Sequence, residues 1–266
     1  MNTNVKTDTT VTTVPTADGS RVPLLVHRPQ HPKGWLVWAH GGSWQAGSTT
    51  AWAPVTATLA AQSGWAVVSV DYRLAPAHKF PAAIFDMLAA LDYAETQARD
   101  TPVAVGGDSA GGTIAAITAL TRRNTGGRVP LQVLAYPPLD PDCTRHSYHA
   151  VPGAFPTAAD MTAAWRLWLG EEPTGSPVTP LQADSLAGLT PAAMVVGGDD
   201  PVRDDVTAYA DRLDSDGVAS SLRVLPGVAH ADVLRPRGRV LPELVTALTH
   251  FSTYDQTASS MEGIPR

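Results

Sequence analysis

Gly107-Asp108-Ser109-Ala110-Gly111-Gly112 lies between an apolar run, Thr101–Gly107, and an alanine-rich run, Ala110–Arg123. The first run reads as a buried strand and the second as a helix. A serine on so tight a strand-to-helix turn is pushed out of the backbone, and the turn tolerates only small neighbours. The helix N-terminus behind it favours developing negative charge. The G-x-S-x-G letters alone recur in many glycine-rich turns. The strand before them and the helix after them are what make Ser109 a candidate nucleophile.

The same alternation extends in both directions. Gly34–His40, Gly64–Asp71, Leu131–Tyr136, Met194–Gly197 and Ser220–Leu225 are apolar runs of strand length. Pro54–Ser63, Pro81–Arg99, Val202–Asp216 and Leu241–Phe251 have helical patterns. Apolar strands alternating with helices predict an α/β fold with a mostly parallel central sheet covered on both faces. Thr9–Thr16 and Arg21–Arg28, joined by a turn at Ala17–Ser20, predict an antiparallel hairpin at one edge. The α/β rhythm breaks over Leu139–Leu189, which is rich in Pro, Gly and polar residues and holds one helical stretch, Ala158–Leu169. This stretch reads as a lid insertion, about 139–189, lying over the strand ends of a single domain spanning 1–266.

Composition narrows the function. With 266 residues, 44% hydrophobic and 17% charged, the chain can build a sizeable core. A formal net charge of −6 argues against nucleic acid, which requires a basic face. One cysteine, Cys143, excludes an internal disulfide, a CxxC pair and a cysteine-rich metal site. The glycines of Gly106–Gly112 bracket a serine and lack the spacing of a dinucleotide loop, so no cofactor and no metal are expected. The opening MNTNVKTDTTVTTV is polar and threonine-rich, unlike a signal peptide, and no stretch approaches the roughly 18 apolar residues of a membrane span. A cytoplasmic location without membrane contact is the resulting expectation.

An activated serine needs a base, the base an orienting acid, and the oxyanion a set of N–H donors. In this class of fold they follow the nucleophile in the order serine, acid, histidine. His230 lies just past the strand Ser220–Leu225 and is the expected base; His146 and His149 fall in the insertion, and His250 in the last helix. Asp200, in the loop before Pro201, is the expected acid, with the adjacent Asp199 left open by spacing alone. Asp204 and Asp205 fall in a first helical turn, where acids favour the dipole without catalysis. His40-Gly41-Gly42-Ser43-Trp44 follows the strand Gly34–Ala39, so Gly41 and Gly42, with Ala110 after the nucleophile, are the expected oxyanion donors. His40 precedes the nucleophile and reads as holding this loop by hydrogen bonds. Trp44, Asp108 and Trp165 are the expected substrate contacts, although Trp44 and Trp52 also admit a reading as packing beneath the loop, and Trp165 and Trp168 as packing the lid helix.

Together these residues resemble the hormone-sensitive-lipase-like family of α/β-hydrolases, the bacterial carboxylesterases among them. The match runs from about Lys33 to Pro236. It takes in HGGSW at His40–Trp44, DYRLAP at Asp71–Pro76 and FPAA at Phe80–Ala83. It continues through GDSAGG at Gly107–Gly112, SP…L.GL.PA across Ser176–Ala192 and DPVRDD at Asp200–Asp205. The resemblance implies the α/β-hydrolase fold, the triad Ser109, Asp200 and His230, and an oxyanion hole at Gly41, Gly42 and Ala110. It also implies pairing into a homodimer through the last strand and helix. Four departures stand out: Ser43 replaces a third glycine, Ala77 a glutamate, and Ala231-Asp232 a Gly-Phe pair beside the base. About 39 residues precede His40 where the family carries a longer cap, so the lid is expected to reduce to Leu139–Leu189.

The function expected is a cofactor-free serine carboxylic ester hydrolase that acts on small acyl esters through an acyl-enzyme. HGGSWQ also resembles the oxyanion loop of kynurenine formamidases. A small amide or formamide, a deacetylation, or acyl transfer on a secondary metabolite therefore remains open with the same machinery. A non-catalytic ligand-binding protein on this fold is disfavoured, because every triad position is filled.

Overall fold

A computed structural model of the chain describes residues 5–127, 130–170 and 179–261, so Met1–Asn4 of the polar opening and Ser176–Val178 of the motif quoted above lie outside the described residues. The strands are β1 (Thr7–Pro15), β2 (Arg21–Pro29), β3 (Trp35–Ala39), β4 (Ala66–Val70), β5 (Val103–Asp108), β6 (Leu131–Ala135), β7 (Ala192–Gly197) and β8 (Ser220–Leu225). The α-helices are α1 (Thr49–Ser63), α2 (Ala82–Ala98), α3 (Ala110–Asn124), α4 (Ser147–Ala150), α5 (Ala158–Leu169), α6 (Arg203–Ser215) and α7 (Val240–Met261).

The strands form one eight-stranded sheet in the order β1-β2-β4-β3-β5-β6-β7-β8. From β4 through β8 neighbouring strands are parallel. The hairpin β1–β2 adds the antiparallel edge, and β2 also meets β4 antiparallel. This is the mostly parallel α/β sheet that the run of apolar strands predicted, in the arrangement that the resemblance to the α/β-hydrolases implies. Strands β3, β4, β5 and β7 are buried at every residue, because helices cover both faces and leave no solvent side on which to alternate. The strand order reverses around β3, whose neighbours are β4 and β5. The carboxyl ends of β3 and β5 therefore open a crevice between loops that leave in opposite directions, where sheets of this type bind ligands.

Two helix boundaries correct the sequence reading. α1 starts five residues before Pro54, because Ser48 caps it: the Ser48 side chain accepts the Ala51 N–H at 3.1 Å, and the Asp71 carboxylate accepts the Thr49 N–H at 3.0 Å. Those caps outweigh the proline, which falls in the second turn and forfeits one helical donor. α7 runs on to Met261 instead of ending at Phe251.

Of the segment 139–189, read from the sequence as an insertion, residues 171–178 lie outside the described residues; the rest contains α5, over the predicted residues, and the single turn α4. The start of α6 holds it down. Asp205 accepts the N–H groups of Leu139 (2.9 Å) and Asp140 (3.1 Å) and the Tyr148 hydroxyl (2.9 Å). Asp204 accepts the Ser147 N–H, and the Ser147 hydroxyl donates to the Pro201 carbonyl at 2.6 Å. Burial pushes the Asp205 carboxyl up to about 7, against the opposing pull of the Leu139 and Asp140 N–H groups. These two acids do sit in a first helical turn, but they also tie the insertion to the loop that carries Asp200.

Candidate active site

Ser109 stands on the turn between β5 and α3 with φ 51° and ψ −124°, a left-handed conformation costly for a residue with a side chain. The turn survives because its neighbours are small. A Cβ on Gly111 would lie 2.0 Å from the Ala39 carbonyl oxygen, so only glycine lets α3 approach the end of β3 this closely.

From Ser109 a hydrogen-bonded chain leads inward. The Ser109 hydroxyl and His230 Nε2 are 2.8 Å apart, and His230 Nδ1 lies 2.9 Å from each carboxylate oxygen of Asp200. An ionised carboxylate only accepts, so Nδ1 carries the hydrogen and the neutral Nε2 is left to accept from the serine. Asp200 is fixed in turn by the Val202 N–H at 3.0 Å. The imidazole also lies against the Tyr136 ring, with centroids 4.7 Å apart. All three predicted residues come together, and Asp199, the alternative acid, is exposed. His146 and His149 are exposed on the insertion.

The loop after β3 is held from several sides. The His40 imidazole meets the Gly41 carbonyl through Nδ1 at 2.7 Å and stacks on Tyr72, whose hydroxyl donates to the His40 carbonyl at 2.9 Å. Burial lowers the His40 pKa, with the Gly41 contact opposing it. Asp108, beside the nucleophile, accepts the Trp52 indole N–H at 2.8 Å and the Gly41 N–H at 3.2 Å through one oxygen. Burial pushes the Asp108 carboxyl up to about 7; those two bonds and the nearby His230 pull it back only in part.

This bonding corrects the expectation for Gly41. Its N–H points at Asp108 and is not free for an oxyanion. The N–H groups of Gly42, Ser43 and Ala110 have no acceptor among the described residues, and all three residues flank Ser109 or the loop above it. Gly42 has φ 119°, and a Cβ there would lie 2.1 Å from the Ala46 carbonyl oxygen, so the loop needs glycine at that position. Ser43, at φ 53°, continues the left-handed turn.

A cavity of about 140 Å³ opens over the nucleophile, lined by the Gly41–Ser43 loop, Trp52, Asp108, His230, Phe155 and Leu234 among others. Asp108 and Trp52 reach it. Trp44 and Trp165 do not, which corrects their reading as substrate contacts. Trp44 is fully buried and stacks on Trp168 with parallel rings, centroids 4.5 Å apart, and Trp165 packs 4.3 Å away against the same ring. Burying three large flat side chains together is favourable enough to draw them away from the crevice and under the loop. Four cavity residues, Phe155, Pro156, Ala231 and Leu234, were not singled out as contacts from the sequence. Phe155, Pro156 and Ala231 come from irregular segments and Leu234 ends a single 3₁₀ turn, too short for a periodicity to be read. Among the described residues no three His, Cys, Asp or Glu side chains converge as metal ligands would, and no helix is long and apolar enough to cross a membrane.

Comparison with known proteins identifies the family of the chain. A family model described as alpha/beta hydrolase fold matches residues 36–234. The carboxylic ester hydrolase LipN of Mycobacterium tuberculosis is 36% identical over 73% of the chain, and the chain spans 56% of LipN's length. Ethyl acetate hydrolase of Pseudomonas putida is 32% identical over 86% of the chain and 76% of its own length. Among solved structures, a bacterial heroin esterase superposes with a TM-score of 0.84 at 31% identity, covering 92% of this chain and 84% of that one.

Proposed function

This chain belongs to the α/β-hydrolase family, and from that premise we propose that it is a carboxylic ester hydrolase acting on small acyl esters through an acyl-enzyme. The observation that carries the reading is the continuous chain from the Ser109 hydroxyl through His230 to Asp200, at 2.8 and 2.9 Å. The esterase names of LipN, ethyl acetate hydrolase and the heroin esterase support the same bond class.

In this mechanism His230 Nε2 takes the Ser109 proton as the oxygen attacks the ester carbonyl. Asp200 stabilises the imidazolium and keeps its proton on Nδ1. The N–H groups of Gly42, Ser43 and Ala110 receive the oxyanion, and preorganised donors of this kind are worth about 10²–10³ in rate each. The imidazolium then protonates the leaving alcohol, and water clears the acyl group by the reverse sequence. A volume near 140 Å³ takes a group of about benzene size in all, so the part of it left to the acyl group favours a short chain.

The test is hydrolysis of p-nitrophenyl esters from acetate to decanoate by the wild type and Ser109→Ala, alongside fluorophosphonate labelling. Hydrolysis weighted to short chains, with both turnover and labelling lost in the variant, is the expected result. A wild type that labels at Ser109 yet cleaves no ester would refute the ester reading while keeping the nucleophile, and formamides and acetylated metabolites would be assayed next.

A further inference from the structure

Two of the few large apolar side chains left in solvent stand at the mouth of the catalytic cavity. Phe155, from the insertion, is 63% exposed, and Leu234, four residues past the base, is 47% exposed. Both line the cavity together with Pro156 and Ala231. The Phe155 ring stands edge-on to the His230 imidazole, with centroids 6.2 Å apart and planes at 66°. Single exposed apolar residues are ordinary on a surface, but a pair lining one cavity with the catalytic histidine, from two separate segments of the chain, is an arrangement with a use.

The chemistry of the proposed reaction assigns that use, and the inference rests on that reading. The tetrahedral carbon bears four groups: Ser109 Oγ, the oxyanion, the acyl chain and the alcohol oxygen. The oxyanion must point at the Gly42–Ser43 loop and Ala110. The alcohol oxygen must approach His230 Nε2, because that atom returns the proton to it. Whatever is bonded to the alcohol oxygen therefore emerges on the His230 side, between Phe155 and Leu234. We propose that these two side chains form the alcohol subsite and that it selects esters whose alcohol portion is aromatic or branched and apolar, joined to a short acyl group. Such a group covers two exposed apolar side chains when it binds, whereas an ethyl group leaves both in water. Its ring also meets the Phe155 ring, a contact open to an aromatic alcohol alone.

The experiment holds the acyl group constant. Acetate release from benzyl acetate and from ethyl acetate is followed by titration for the wild type, Phe155→Ala and Phe155→Tyr. The ratio of the two kcat/KM values is compared between proteins, so that intrinsic ester reactivity cancels. That ratio is expected to fall about 5-fold in Phe155→Ala, the size of one aromatic contact, and to return in Phe155→Tyr. Because Phe155 is largely exposed, the alanine variant is expected to fold, and circular dichroism checks that it does. A ratio equal to wild type in Phe155→Ala, with both esters cleaved, overturns the subsite alone. Failure of the wild type on both acetates overturns the ester reading and the subsite with it.

Discussion

Replacing Trp52 with Phe keeps a ring beside the cavity and removes one hydrogen bond, the 2.8 Å donation from the indole to Asp108. The acceptor is a buried carboxyl whose pKa lies at about 7 in place of its ordinary 3.8. Holding it there amounts to a penalty of about 4 kcal/mol on the ionised form, at 1.36 kcal/mol for each pH unit. The folded state keeps this proton to a higher pH than the unfolded chain does. Its contribution to stability is therefore complete below about pH 4 and is lost as the pH climbs to about 7. The indole bond opposes that loss, because a hydrogen bond to a charged acceptor is worth about 1.5–3 kcal/mol against about 1 kcal/mol for a neutral one. Without it the Asp108 pKa rises by about one further pH unit, and the loss of stability continues above pH 7.

Trp52→Phe should therefore cost about 1 kcal/mol at pH 5, where the carboxyl is protonated in both proteins, and about 2–3 kcal/mol at pH 9, where it is ionised in both. Urea unfolding of the two proteins at pH 5, 7 and 9, followed by far-ultraviolet circular dichroism, measures the difference directly. An equal cost at pH 5 and pH 9 would refute the reasoning, since it would mean that the Trp52 partner does not change charge across neutrality. The Gly41 N–H bonds the same carboxyl oxygen, so the loop above the nucleophile should loosen with it and kcat should fall.

Two further substitutions probe how that loop and the insertion are held. Asp205→Ala strands the buried Leu139 N–H and Tyr148 hydroxyl, at about 1–3 kcal/mol for each, and the half-buried Asp140 N–H at less. Thermal melting should show a midpoint about 10 °C lower, and a change under about 2 °C would mean that Asp205 does not clamp the insertion. Trp168→Ala removes the ring stacked on Trp44, at about 3–5 kcal/mol, and frees the residue that follows Ser43. Steady-state kinetics on p-nitrophenyl acetate should show kcat about 10-fold lower with KM little changed, a fraction of what loss of a whole oxyanion donor costs; a change confined to KM would show that the aromatic stack does not position the loop.

What was legible in the sequence was chemistry attached to the ends of strands. Ser109, Asp200 and His230 each follow an apolar run, and in a parallel sheet those ends share one edge, so chain order and residue type were enough to bring the three together. The oxyanion loop was legible only in part. Its glycines mark where the backbone approaches the nucleophile, but which N–H is free depends on a carboxylate 67 residues away taking the Gly41 donor. No local pattern carries that information. The tryptophans failed for a related reason. Trp44, Trp52, Trp165 and Trp168 are equally apolar as letters, and what sorts them is a partner: Trp52 finds an acceptor in Asp108 at the cavity wall, while the other three find one another beneath the loop. The same rule covers Asp205 and the start of α1. Each was read by its local propensity, Asp205 as a dipole acid and Pro54 as the first residue of the helix, and each is decided by a hydrogen bond: the Leu139 N–H to Asp205, the Ala51 N–H to Ser48. Local reading thus reaches as far as the residues whose role is set by the element they end. It stops where a role is set by which of several equivalent neighbours a side chain meets, and in this protein part of the cavity wall, Trp52 and the Gly41–Ser43 loop, is built from residues of that second kind.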